Sequence, residues 1–163
     1  METWETSYTQ GSLTTNPDQF SNEAWNILLK SEELAKQWKH LNLDVEHIIQ
    51  VFFNDPEYRK LIDSLQINSS FLLDELEEFL SEQPEANGRD LFVGDALEDL
   101  LETANHCKQQ WGSNLIEISH LLIALGRDKK IGSKLFDNVG LPREKLEASL
   151  RRSSSQIVRR EKT

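Results

Sequence analysis

The side chains best suited to chemistry in this sequence are four histidines and one cysteine: His40, His47, His106, His120 and Cys107. His106 and Cys107 are neighbours, and on a helix successive side chains point about 100° apart, so the two do not chelate together. No spacing among the five matches a zinc site. His47 and His120 stand beside apolar stripes in two stretches that read alike, and a repeated structural role, such as bonding a neighbouring backbone carbonyl, accounts for both. Cys107 falls on the apolar side of its own helical pattern, where a thiol is an inert packing group. The stretch GRDKKIGSK, residues 126–134, has some features of a phosphate loop. It places five residues between its glycines where that loop needs four, and Gly-Ser-Lys where it needs Gly-Lys-Ser/Thr. No strand pattern precedes it. The Ser and Thr residues lack a nucleophile-elbow context, and the pairs Glu32-Glu33 and Glu77-Glu78 belong to solvated helix faces. No catalytic residue, metal or cofactor is expected in this chain.

The elements carrying these residues come twice. LDVEHIIQVF, residues 43–52, places Val45, His47, Ile48, Ile49 and Phe52 as LIEISHLLIALG places Ile118, His120, Leu121, Leu122 and Leu125. That spacing is one buried face of a short helix. Upstream, Ala24, Leu29 and Asn42-Leu43 correspond to Ala96, Leu101 and Asn114-Leu115. Downstream, KLIDSLQIN from Lys60 matches KLFDNVGLP from Lys134, and Leu72 and Leu76 match Leu146 and Leu150.

The pattern predicts an all-α fold of eight helices in two pseudo-twofold four-helix repeats. Residues 1–17 read as a flexible arm with too few apolar groups to offset ordering entropy. Residues 18–152 form the domain, with repeat 1 over about 20–80, a joint at 81–92 marked by Pro84, Asn87 and Gly88, and repeat 2 over about 93–152. Residues 153–163 read as the start of a linker. Asp18 or Ser21 caps the first helix and Asp44 the second, while Asp55-Pro56 opens the third. Val93, Leu97, Leu100, Leu101, Ala104, Cys107 and Trp111 make the longest stripe, stopped by Gly112. No stretch alternates with the period of a strand. Helices this short do not stand alone in water, so tertiary packing must hold them.

The chain has 163 residues, a net charge of -10, 37% hydrophobic and 28% charged residues. Residues 143–163 hold seven Lys/Arg against three Glu, which leaves -14 on residues 1–142. Such a body repels phosphate backbones, so nucleic acid is not an expected partner. No apolar run approaches the roughly 20 residues of a membrane helix. The N-terminus lacks the basic start and apolar centre of a signal peptide, and the single cysteine suits a reducing compartment. A cytoplasmic monomer with no membrane partner is expected. Two packed four-helix units leave a crease between them, and apolar creases bind peptide segments. Leu91 and Phe92, beside the Gly88 break, either line that crease or pack onto repeat 2.

A doubled four-helix unit with x-Glu-His-apolar-apolar or its equivalent in the second helix, and Lys-Leu-Phe/Ile-Asp in the third, resembles the N-terminal domain of Clp-class AAA+ proteins. PDQFSNEAWNIL, NLDVEHII and QPEANGRDLFVG are most similar to the ClpB-type disaggregase chaperones, and the likeness covers about residues 17–152. The resemblance implies a module that engages unfolded or aggregated polypeptides, or adaptor proteins, ahead of an AAA+ ring. ATP and Mg are then expected only in ATPase modules outside this chain. The alternative is a free-standing accessory subunit docking on the Clp protease or chaperone ring. Client segments are expected in the crease near Leu91, Phe92, Leu97, Leu101 and Leu115, with the acidic surround favouring basic flanks. Ser119 stands where relatives often keep a glutamate, and Ser113 where an acidic residue is common; both positions lie near the family's polypeptide-binding face.

Overall fold

Capping chemistry starts the first helical segments where the sequence places it. The computed structural model describes the backbone of residues 13–162 and the side chains of residues 14–152. Ser21, not Asp18, caps α1 (Asn22–Trp38) by accepting from the Ala24 N–H at 3.1 Å. Asp44 caps α2 (Val45–Asn54). Asp55 accepts from the Glu57 N–H and opens a 3-10 turn, Pro56–Tyr58, that leads into α3 (Arg59–Ser64). Asn68 caps α4 (Ser69–Ser81). The second set is α5 (Asp95–Gln110), α6 (Ile118–Arg127), α7 (Gly132–Asn138) and α8 (Arg143–Lys162). The backbone of α8 continues ten residues past the end expected at 152. The only strands among the described residues are two-residue segments, β1 (Asn42–Leu43) and β2 (Phe92–Val93), paired in parallel. Val93 therefore belongs to the approach to α5 rather than to its stripe.

The expected arm begins to order before residue 17. Leu13–Thr15 and Pro17–Gln19 form 3-10 turns, and Thr14 is fully buried against the body. Residues 1–12 lie outside the described residues.

Burial and caps set the repeat register, and they move part of it by one residue. The N-caps Ser21 and Gly94 correspond, as do Asp44 and Glu117. Ala24 then matches Leu97, and Leu28 matches Leu101, all four in the core, rather than Ala24 with Ala96 and Leu29 with Leu101. Likewise the buried Leu43 matches buried Ile116, not exposed Leu115. The later matches of Leu72 with Leu146 and Leu76 with Leu150 hold, all being buried. In this register Lys39 (φ 61°) and Gly112 (φ 70°) end α1 and α5 in the same left-handed conformation.

The repeats are joined by crossed backbone bonds. Gly94 N–H donates to Leu43 C=O at 2.8 Å, and its counterpart Ser21 N–H donates to Ile116 C=O at 3.0 Å. Ile116 N–H returns a bond to Gln19 C=O. One continuous apolar core runs through both repeats, with Phe53 of α2 meeting Phe136 of α7 at a ring separation of 6.2 Å. The joint is not a loose tether. Leu41 N–H donates to Pro84 C=O and Ala86 N–H to Lys39 C=O, so Pro84–Ala86 lies antiparallel along the end of α1.

His47 and His120 do have the repeated structural role the sequence suggests, but their partner is a backbone N–H and not a carbonyl. Each sits at the third helical position and closes a capping box. Asp44 N–H donates to His47 Nδ1 at 3.0 Å, and Glu117 N–H to His120 Nδ1 at 2.8 Å. An accepting Nδ1 puts the proton of a neutral ring on Nε2. His47 Nε2 lies 2.8 Å from His40 Nδ1, and His40 in turn bonds the Leu80 carbonyl. The chain of bonds keeps both rings neutral. Burial, then the neighbouring His40, pushes His47 down to about 3, and burial pushes His120 down to about 4.

A histidine buried neutral stays unprotonated in the folded state while the unfolded chain takes up a proton below pH 6.5. Stability is therefore expected to fall as pH drops from 6.5 toward 4, each ring contributing up to about 1.4 kcal/mol per pH unit. Urea melts across that range should show a shallower slope for His120→Ala than for the parent. At pH 7, His47→Ala is expected to cost about 2–4 kcal/mol, more than His120→Ala, because it also strips His40 Nδ1 of its donor.

Candidate functional site

Exposed apolar side chains are the ones left available for contact with another molecule. Among the described residues the large ones are Phe71 at 48%, Phe92 at 44% and Leu115 at 36% exposure. Phe92 is on β2, and Leu115 directly precedes the residue that pairs with Phe20. Each therefore stands at one of the two places where the repeats cross. Backbone bonds on both sides hold these positions rigid, so presenting an apolar side chain there costs little ordering entropy on binding.

The other expected crease residues divide. Leu91 is half-buried against the core while its neighbour Phe92 is exposed. Ser113 and Ser119 are half-buried at the entries to Leu115 and α6. Leu97 and Leu101, at 0% and 1% exposure, are core residues and line no surface. The reason is their spacing: with Leu100 and Ala104 they form the face of α5 that packs on α6.

Beside β2 lies a charged cluster that joins the two repeats. Lys130, in the loop between α6 and α7, reaches across to repeat 1 and places Nζ 2.9 Å from Asp44 Oδ2 and 3.1 Å from Glu46 Oε1. Its ammonium also lies 5.8 Å from the centre of the Phe79 ring on α4. Asp44 approaches the backbone so closely that a Cβ on Gly94 would fall 2.0 Å from its Oδ2, which explains a glycine at that N-cap. Burial pushes the Glu46 carboxyl up, the Asp44 charge adds to this, and Lys130 opposes it. Burial likewise works against the Lys130 ammonium, but Glu46 and Asp44 outweigh it and the net shift is upward. This lysine belongs to the stretch that superficially matched a phosphate loop, and its charge is spent on carboxylates of the other repeat. Repeat 2 has no such ion pair among the described residues: Ser119 replaces Glu46, and Glu117 is exposed.

An open hollow of about 770 Å³ lies elsewhere, between α1 and α2. Leu29, Leu34 and Val51 give it an apolar wall, with Glu32 and Glu33 at the edge. The sequence signal for it was Leu29 and Leu34 standing off the inward stripe of α1, a departure too small to read without the packing. Cys107 is buried with its thiol pushed up by that burial. No group of three or more His, Cys, Asp or Glu among the described residues is placed to hold a metal ion, and no helix there is long and apolar enough to cross a membrane.

With this geometry established, comparison with known proteins is informative. Residues 19–139 match the family model described as Clp repeat (R) N-terminal domain. The chaperone protein ClpB 2 of Parasynechococcus marenigrum is 45% identical over 149 residues, which are 91% of this chain and 17% of that protein. The chaperone protein ClpB 1 of Thermosynechococcus vestitus is 29% identical over 88% of this chain and 17% of its own length. The chain thus spans about a sixth of the curated relatives it matches. Among solved structures, the Hsp104 N-terminal domain from Candida albicans superposes with a TM-score of 0.70 at 21% identity, over 81% of this chain and 89% of that one. The N-domain of ClpV from Vibrio cholerae gives 0.67 at 16% identity, over 90% and 94%.

The Lys130 cluster yields a direct test of how the repeats hold each other. Lys130→Met leaves two carboxylates facing one another in a largely buried place and is expected to cost roughly 2–3 kcal/mol in urea unfolding. Adding Glu46→Gln to it should recover part of that loss, and full additivity of the two changes would show that the residues act independently.

Proposed function

Because the chain belongs to the Clp repeat N-terminal domain family, we propose that it is the polypeptide-binding module of a ClpB-type disaggregase chaperone in the cytoplasm. In this reading it engages unfolded or aggregated polypeptides, and adaptor proteins, ahead of the ATP-driven ring of the parent chaperone. Nucleotide hydrolysis is not assigned to its residues. The observation that carries the reading is the pair of exposed apolar side chains, Phe92 and Leu115, held at the two crossings between repeats. An extended client can lay apolar side chains on these while its backbone stays solvated.

Affinity is expected to be weak. The apolar area on offer is small, and the client loses chain entropy on binding. Weak capture suits a module that must release what it holds. The acidic body favours segments with basic flanks and raises their encounter rate at low salt.

The test is titration with reduced, carboxymethylated casein as a permanently unfolded polypeptide. The double variant Phe92→Asp/Leu115→Asp should fold as the parent does and bind at least about tenfold more weakly. Leu101→Asp, by contrast, should fail to fold. A folded double variant that binds casein as the parent does would refute the assignment.

A further inference from the structure

The two repeats differ in one respect that bears on how a client is held. In repeat 1 the backbone just after α1, Lys39–Leu41, is covered by the joint: Leu41 N–H donates to Pro84 C=O at 2.9 Å, and Lys39 C=O accepts from Ala86 N–H at 2.8 Å. Glu85 lies antiparallel opposite His40. The corresponding backbone of repeat 2 is Gly112–Asn114, just after α5. The match is close: Trp38 corresponds to Trp111, left-handed Lys39 to left-handed Gly112, and the bond from His40 N–H to Ala35 C=O to the one from Ser113 N–H to Lys108 C=O. Yet Gly112 C=O and Asn114 N–H have no backbone partner among the described residues, and both residues are exposed. What covers the first edge is part of the chain between the repeats, and repeat 2 has no counterpart to it among the described residues.

A second difference lies directly beneath. In repeat 1 His47 Nε2 meets His40. In repeat 2 the position of His40 is taken by Ser113, and His120 Nε2, in a side chain 1% exposed, has no hydrogen-bond partner among the described residues. Both rings are fixed by the same Nδ1 bond, so both Nε2 atoms face the equivalent place. The Trp111 ring lies edge-on to His120 at 5.2 Å, so what the edge of repeat 2 leaves unmade is its backbone bonds and the hydrogen bond of His120 Nε2.

We infer that Gly112–Asn114 takes an extended segment of client polypeptide as an added antiparallel strand, in the manner in which Pro84–Ala86 covers Lys39–Leu41. The inference rests on the polypeptide-binding reading above and specifies its mode. In the bound arrangement the client residue opposite Ser113 is flanked by two backbone bonds. The carbonyl of the preceding client residue accepts from Asn114 N–H, and the N–H of the following one donates to Gly112 C=O. Leu115 and half-buried Trp111 give its side chains apolar contacts at either end.

Charge sets the direction of the segment. Arg151 lies 5.1 Å from the centre of the Trp111 ring, at the end where the client chain leaves, and exposed Glu117 stands at the end where it enters. An antiparallel client with a basic residue before its apolar centre and an acidic residue after it complements both.

The experiment uses a synthetic hexapeptide, Lys-Val-Ile-Val-Glu-Gly, with its charge-swapped version (Lys and Glu exchanged) and a version N-methylated at the amide following the central Ile. Amide hydrogen exchange of the domain is followed by NMR. Saturating peptide is expected to slow exchange at Asn114 about tenfold or more, and both altered peptides to bind about tenfold more weakly. Casein binding that leaves Asn114 exchange unchanged, or equal affinity of the N-methylated peptide, overturns the strand-addition mode alone. A domain that binds neither casein nor peptide overturns the polypeptide-binding reading with it.

Discussion

The crossed backbone bonds between the repeats are the constraint on which the structure depends. Each repeat sends the extended residues before one of its helices to pair with the other, Gly94 with Leu43 and Ser21 with Ile116. These groups lie at helix entries, where N–H donors would otherwise lack partners, so the pairing satisfies the backbone and docks the halves in one step. It also fixes where the apolar faces meet. Leu97 and Leu101 are turned inward because α5 enters from a strand already pinned to repeat 1. Lys130, reaching Asp44 and Glu46 from the far repeat, reinforces the same arrangement with charge.

Within this frame the duplication is not exact, in the core as well as at helix entries: buried Ala24 stands where the second copy has buried Leu97. Both second helices carry a histidine capping box, but one histidine has a histidine partner and the other has none. Both first helices end in a left-handed residue, one of them a lysine, for which that conformation carries some steric cost, and the other a glycine. A covered edge beside a matching open one follows from a chain that has a joint after its first repeat and a continuing helix, α8, after its second.

Much of the fold was legible in the sequence because apolar periodicity reports burial directly. Ile48, Ile49 and Phe52, and their partners Leu121, Leu122 and Leu125, are all in the core. Upstream, the letters and the burial disagree by one residue: Asn-Leu recurs in both copies, but buried Leu43 is matched by buried Ile116 and not by exposed Leu115. The stripe that holds Leu97 and Leu101 shows which residues share a face and not what that face meets, and here it meets the core. Contacts between distant residues left no local trace: Lys130 and Asp44 are 86 positions apart, and nothing near either names the other. The Gly88 break marks Leu91 and Phe92 alike, and only the packing separates half-buried Leu91 from exposed Phe92.

The placement of α8 affects how the domain responds to mechanical load. This helix meets the body through Leu146 and Leu150, packed on α6, through the Glu147–Arg127 ion pair and through Arg151 over the Trp111 ring, and contributes nothing to the crossed bonds. Tension arriving along α8 is therefore met first by side chains that slide and peel one after another, while the crossing between repeats is spared. A tug strong enough to loosen the last helix would leave the crossing between the repeats in place while drawing Arg151 away from Trp111.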